Sequence, residues 1–312
     1  MLSRRIVRVK VMQVLYSMSR DQSLKMSDAL ARYKQSVSKT FELYIYNLYI
    51  MLKVAEFSEK DAENRGNKLR PTDEDRNFKA KLAQNKFTQS LVTHHELKKF
   101  IIKYNLEANL DVDHIKTLYS EFAKTDEYKI YVAKDIKAEE EHVTMLLSLY
   151  RFCIANELFN DILEDYHYNW EDDKSLVMGA MKKTLKALPA EDTFYKEFVP
   201  DQEVVKDFGE TLLLKVNATD TALLAHIEPN LKNWDADRVA IIDMILLKMA
   251  ICEMLDFKSI PTKVTLNEFV EISKIYSTDK SKEFVNGILD RLLKKLEKDG
   301  QIVKEGRGLI DS

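Results

Sequence analysis

Three arginines open the first helical pattern of the chain. Arg4, Arg5 and Arg8, with Lys10 following, all precede the first acidic residue, Asp21. At about 100° per residue their guanidiniums share an arc of ~100° on a helix. Guanidiniums on one face can fork onto phosphate oxygens or base edges. A merely solvated basic face fits the same spacing. Two Glu-x-x-His pairs, Glu139/His142 and Glu164/His167, have the spacing that ferritin-like bundles use at a di-metal centre. Asp111/His114 repeats that spacing, and a chain with 51 acidic residues supplies about one such pairing by chance. Both Glu pairs fall on what reads as one long helix, whereas the centre needs facing helices, so no metal is expected. His94-His95-Glu96 begins like a zinc-protease helix, but position 99 is Lys where the second His would stand. No P-loop, G-x-G-x-x-G or G-x-S-x-G is present, so neither a cofactor nor a nucleophile is expected. Tyr44, Tyr46 and Tyr49 could stack bases, or they line a core at helical spacing. Cys153 and Cys252 stand apart in apolar patterns without a C-x-x-C, which suits buried thiols in a reducing compartment.

The elements that must position these groups are helices. Seven Gly and five Pro in 312 residues leave few hairpin turns or glycine loops. The fold class expected is all-α. A hydrophobic fraction of 45% supplies a core, and a net charge of −3 speaks against a generally basic nucleic-acid coat while leaving room for a local patch. The start of the chain has charge without a following apolar run, and no 18-residue uncharged stretch occurs. No signal peptide or membrane span is expected, and the cytoplasm is the expected location. Val7, Val11, Val14 and Met18 mark a helix over 4–19, and 27–57 reads as a longer, aromatic-rich one. Residues 58–81 read as a charged loop. Residues 82–105, 111–124, 126–166 and 172–188 are helical in pattern, followed by a break from Pro189 to Pro200. Asp201 can cap a helix over 202–216, and Thr219 or Asp220 the next. Asp235 stands where an N-cap is wanted for 236–256, whose apolar residues run almost all round. Such a helix is buried and central, and its charges need partners. Thr265-Leu266-Asn267-Glu268 has the form of a capping box. A last helix is expected over 281–298, and the polar tail 299–312 is expected to fray.

Within these elements the string Arg238-Val-Ala-Ile-Ile-Asp243-Met-Ile-Leu-Leu-Lys248-Met-Ala-Ile-Cys-Glu253 precedes Ile260-Pro261, then Val264-Thr-Leu-Asn267-Glu268 and Phe284-Val285-Asn286-Gly287-Ile-Leu-Asp290. This order and spacing resemble the NusB family of bacterial transcription antitermination factors. Arg4-Arg5-x-x-Arg8 with Gln13, Leu15 and Tyr16 resembles that family's arginine-rich first helix. The resemblance covers roughly 3–20 and 200–296. It implies a helical domain formed by 1–20 with 200–298, a helical insertion over 21–199 and a tail over 299–312. It further implies a non-catalytic protein that binds boxA-like single-stranded RNA, pairs with the ribosomal protein NusE and joins an RNA polymerase antitermination complex on ribosomal RNA transcripts. RNA contacts would fall on Arg4, Arg5, Arg8, Lys280, Lys282 and Phe284, and partner contacts on Tyr16 and Asp243. Where the family often has an acidic residue ahead of its S-x-x-F-V-N-G segment, this chain has Lys280, which favours RNA electrostatically.

The chemistry of these residues fits that implication. Splayed bases stack on aromatics while cations take the phosphates, and Phe284 beside Lys280 and Lys282 offers both. By periodicity alone Phe284 equally fits a core position. Asp243 fits an internal pair with Arg238 or Lys248 as well as a partner contact. A second reading is a protein-interaction scaffold in transcription or ribosome assembly, carried by the long middle of the chain. A di-metal enzyme is the third.

Overall fold

The computed structural model describes residues 2–136, 138–231 and 238–309. Among them there is no strand. The helices are α1 (Arg4–Arg20), α2 (Met26–Gly66), α3 (Asp73–Asn77), α4 (Lys81–Gln84), α5 (Lys86–Val92), α6 (His95–Lys103), α7 (Val112–Phe122) and α8 (Asp126–Ala133). They continue as α9 (Glu140–Ala155), α10 (Glu157–Tyr166), α11 (Trp170–Lys186), α12 (Thr211–Ala218), α13 (Asp220–Ile227), α14 (Ile241–Asp256), α15 (Thr262–Tyr276) and α16 (Ser281–Lys298). A π-helical segment, Glu203–Glu210, leads into α12. Among the described residues no helix is long and apolar enough to cross a membrane.

The chain divides into two compact units, Ser38–Val199 and Leu2–Val37 with Pro200–Ser312. The first is organised around the middle of α2. Leu43, Tyr44, Ile45, Tyr46, Leu48, Ile50 and Met51 are all fully buried there, so this stretch has no solvent face. Its polar atoms are satisfied inside: Tyr44 Oη lies 2.6 Å from Thr184 Oγ1, and Tyr46 Oη donates to the Asn109 carbonyl at 2.6 Å. The tyrosine cluster is therefore core and does not form a stacking platform.

Several expectations fail in this unit for local reasons. The single helix expected over 126–166 is three helices. Asn156 ends α9, and its side chain accepts from Phe159 N to start α10. The two Glu-x-x-His pairs consequently belong to different helices. His142 Nδ1 lies 2.7 Å from Tyr131 Oη, and His167 is buried 3.7 Å from Asp173. Among the described residues no group of three or more His, Cys, Asp or Glu could hold a metal ion. The loop expected over 58–81 is helical to Gly66, and 82–105 is broken into short helices at Asn85 and His94, each of which caps the helix after it.

The second unit is organised around α14, which packs against α1, α12, α13, α15 and α16. Every residue from Ile245 to Met254 is buried except Leu247's neighbour Lys248, which reaches outward to Asp220 at 2.6 Å. Of the other charges on this helix, Asp243 and Glu253 are buried and hydrogen-bonded, and Asp256 at its end takes Lys215 at 2.6 Å. The N-cap expected at Asp235 lies outside the described residues. Thr265 does not cap. The helix α15 already begins at Thr262, just after Pro261, and Thr265 is interior to it, donating to Glu253 Oε1 at 2.7 Å. At the other end, Gly300 takes φ +66° and Gln301 N bonds the Leu296 carbonyl, a left-handed helix stop that reverses the chain. Lys304 then reaches the Phe257 carbonyl at the end of α14 at 3.0 Å, so residues 300–305 pack back where fraying was expected.

Candidate nucleic-acid interface

Ser3 caps α1, its side chain accepting from Ile6 N, and this sets the arginines on the first two turns. They do not share one fate. Arg5 is half-exposed, its side chain 49% accessible, and forks onto Glu268 at 2.8 and 2.6 Å. That hydrogen bond, followed by the charges of Arg8 and Arg5, holds the Glu268 carboxyl below its usual range. Arg4 is partly exposed, reaching Glu203 at 3.2 Å with its guanidinium 5.7 Å from the Phe208 ring centre. Arg8 is only 2% exposed. It donates twice to the fully buried Glu253, at 2.7 Å each, and lies between the rings of Phe208 and Phe269. An exposed RNA-facing position was expected for Arg8. The structure instead gives it an interior partner, because its turn of α1 lies directly on α14.

The second group comes from the start of α16. Lys280 and Lys282 are exposed and Phe284 is half-buried. Ser281, the first residue of the helix, is buried and donates to Asp243 Oδ2 at 2.7 Å, which pins this helix start onto α14. Asp243 was expected on a partner surface. It is 4% exposed and faces α16, and its partner is a hydroxyl and neither Arg238 nor Lys248. Tyr16 is exposed at 40%, as a contact residue must be. Arg238, Val239, Ala240, Asp243, Thr278, Lys280, Ser281 and Phe284 enclose a cavity of about 190 Å³.

Both helices touch α15: Arg5 of α1 forks onto Glu268, and α16 packs along it. Glu271 is held below the usual carboxylate range first by its hydrogen bond from Lys274, and then by the charges of Lys274, Arg5 and Lys282. Arg5 from α1 and Lys282 from α16 thus both favour the ionised form of Glu271. Sequence reasoning found the cations but missed the carboxylates among them, Glu203, Glu268 and Glu271. The only signal for Glu268 was its spacing from Thr265, which reads equally as an i,i+3 pair inside a helix that has already begun.

Residues 155–294 match the NusB family. Among curated proteins the chain is similar to the transcription antitermination protein NusB of Chloroherpeton thalassium, 41% identical over 124 residues, which is 38% of this chain and 59% of that protein. It is 43% identical to the protein of that name from Salinibacter ruber over 105 residues, 34% of this chain and 66% of that one. With the Listeria monocytogenes protein of that name it shares 40% identity over 98 residues, 31% of this chain and 75% of the relative. The chain belongs to the NusB family. It spans about three fifths to two thirds of the length of the first two of these relatives. The NusB match takes in α10 and α11 as well as the helices from α12 to α16, and does not reach α1. No solved structure matches the chain.

Proposed function

We propose that this protein is a non-catalytic, RNA-binding transcription antitermination factor that acts in the cytoplasm on ribosomal RNA transcripts. Its RNA face is formed by Arg4, Arg5, Lys280, Lys282 and Phe284. Its partner contacts, with NusE and through it the polymerase complex, include Tyr16. Arg8 serves this face from behind, by fixing α1 on α14. The observation that carries the reading is that α15 takes Arg5 of α1 at Glu268 and packs against α16, whose start carries the exposed Lys280 and Lys282. The relatives, which are transcription antitermination proteins, supply the process. The Arg5–Glu268 fork is bidentate and half-exposed on its arginine side, so a phosphate reaches that guanidinium in competition with Glu268.

The test is binding of the full chain to a boxA-like RNA and to an unrelated strand across a salt series. Arg4→Ala with Arg5→Ala is expected to weaken both and to lower the salt slope by about 1.4, since each single-strand phosphate contact contributes ~0.7. Equal affinity for the two RNAs, untouched by the double substitution, would end this reading.

A scaffold role for the first unit has one observation in its favour. Residues 38–199 hold 29 Asp and Glu against 24 Lys and Arg, while the rest of the chain is slightly basic. That charge suits a protein partner better than RNA.

A further inference from the structure

The core of the first unit leaves one tyrosine hydroxyl unsatisfied. Tyr44 and Tyr46 find partners inside. Tyr49, three residues beyond Tyr46 and only 6% exposed, has no hydrogen-bond partner among the described residues. It lines a cavity of about 400 Å³ between α2, α5 and α6. A buried polar group without a partner is costly, and one that lines a cavity suggests that its partner arrives with a ligand. Leu52, Leu91, Val92, Leu97 and Ile101 supply aliphatic walls. That volume, apolar walls and a few polar groups are the properties of a small-molecule site. The charges at its edge indicate the head group. Lys53 is taken by Glu56 at 2.8 Å. Lys98 and Glu107 are exposed and have no ion partner among the described residues. Burial first, then the charges of Glu107 and Glu56, push the Tyr49 hydroxyl up to about 12. The hydroxyl therefore stays neutral, and an anion placed on it would face two carboxylates, whereas a cation would be drawn to both.

We propose that this cavity binds a small aliphatic ammonium compound, whose ammonium donates to Tyr49 Oη and Glu107 and whose aliphatic body covers Leu52, Leu91 and Leu97. An ammonium held by a hydroxyl and a carboxylate makes charge-assisted hydrogen bonds, the stronger kind. A branched aliphatic amino acid and a simple alkylamine share this chemistry. In the amino acid the carboxylate falls to Lys98, which a simple amine leaves unused. The site belongs to the first unit and stands independently of the RNA-binding reading above. It gives the long middle of the chain a ligand of its own, and it gives Tyr49 a role that its neighbours Tyr44 and Tyr46 do not share.

The experiment titrates the full chain by calorimetry with 3-methylbutylamine, 4-methylpentanoate and L-leucine. These share one skeleton and carry the ammonium alone, the carboxylate alone and both. The tighter-binding ammonium compound is expected to exceed 4-methylpentanoate by about tenfold or more, the discrimination that a hydrogen bond to a charged group supplies. L-leucine ahead of the amine identifies an amino-acid site that engages Lys98, and the amine ahead of L-leucine identifies a simple-amine site. Tyr49→Phe keeps the ring and breaks no hydrogen bond of the free protein, so it is expected to keep its thermal midpoint and to bind the preferred compound about tenfold more weakly. Glu107→Gln removes a charge from an exposed side chain and is expected to narrow the preference for ammonium over carboxylate. Failure of both ammonium compounds to bind at millimolar concentration overturns the proposal. So does 4-methylpentanoate binding as tightly as they do, which decides the matter on the unsubstituted chain even if Tyr49→Phe does not fold. Unchanged affinity in a folded Tyr49→Phe overturns it as well.

Discussion

At the scale of single residues, the arginine face shows what a helical wheel can and cannot reveal. The arc shared by Arg4, Arg5 and Arg8 was legible from spacing alone. Depth was not, because it depends on Glu253, which is 245 positions away in sequence from Arg8. A wheel orders directions around one axis and carries no information about what lies in each direction. Arg8 and Glu253 are both out of water, and Thr265 donates to the same carboxylate. Such a pair is costly to break from one side, since the surviving charge stays buried without a counter-ion. Arg8→Ala is therefore expected to lower stability by about 3–5 kcal/mol, read as a fall in the urea midpoint. Arg8→Met combined with Glu253→Leu removes both charges and keeps the volume, and is expected to lose much less than the sum of the single changes. Additive losses would show that the pair is not coupled. Phe284 illustrates the opposite case: spacing left it between core and surface, and it lies half-buried at a cavity wall, which is partly both.

At the scale of elements, helix ends were legible where a side chain marks them and misread where two markers compete. Ser281 opens α16 and Lys298 closes it, as the apolar stripe from Phe284 to Leu296 implies. Thr265 and Glu268 carried a capping-box pattern, but Pro261 had already started the helix one turn earlier. The π-helical segment before α12 had no sequence signal, because its geometry answers to tertiary packing. Tyr33 is fully buried against it and donates to the Val205 carbonyl at 2.9 Å. Gly209 makes room for this contact: a Cβ there would lie 1.9 Å from Tyr33 Oη and 2.5 Å from Val7 Cγ1. Neither neighbour has anywhere to go in a packed interior. Gly209→Ala is expected to cost about 1–3 kcal/mol through overpacking. Tyr33→Phe deletes the nearest clashing atom, so in the double variant the cost of the alanine should shrink. A thermal-melt cycle over the four proteins checks this, and full additivity would mean that the clash is relieved elsewhere.

At the scale of the molecule, both units follow one plan, a helix buried all round with other helices laid on it. Apolar patterning made α14 readable as such a helix. It made the middle of α2 readable only as aromatic-rich, because tyrosines suit a core and a base-stacking surface equally until their hydroxyls find buried partners. What separates the units chemically is where their cations go. In the second, Arg4, Arg5, Lys280 and Lys282 stand at the starts of α1 and α16. In the first, acidic residues outnumber basic ones and the tyrosines are inside. RNA should therefore engage the second unit alone. Amide hydrogen exchange on the full chain with a saturating single-stranded 12-mer is expected to slow at residues 4–8 and 278–286, with no change across 38–199. Slowing confined to 38–199 would transfer RNA binding to the first unit and leave the basic helix starts as solvated surface. Slowing in both would mean that RNA runs beyond the face described, and the acidic balance of the first unit would then have to be locally reversed where the strand crosses it, a reversal that salt dependence would reveal as more phosphate contacts than Arg4, Arg5, Lys280 and Lys282 can supply.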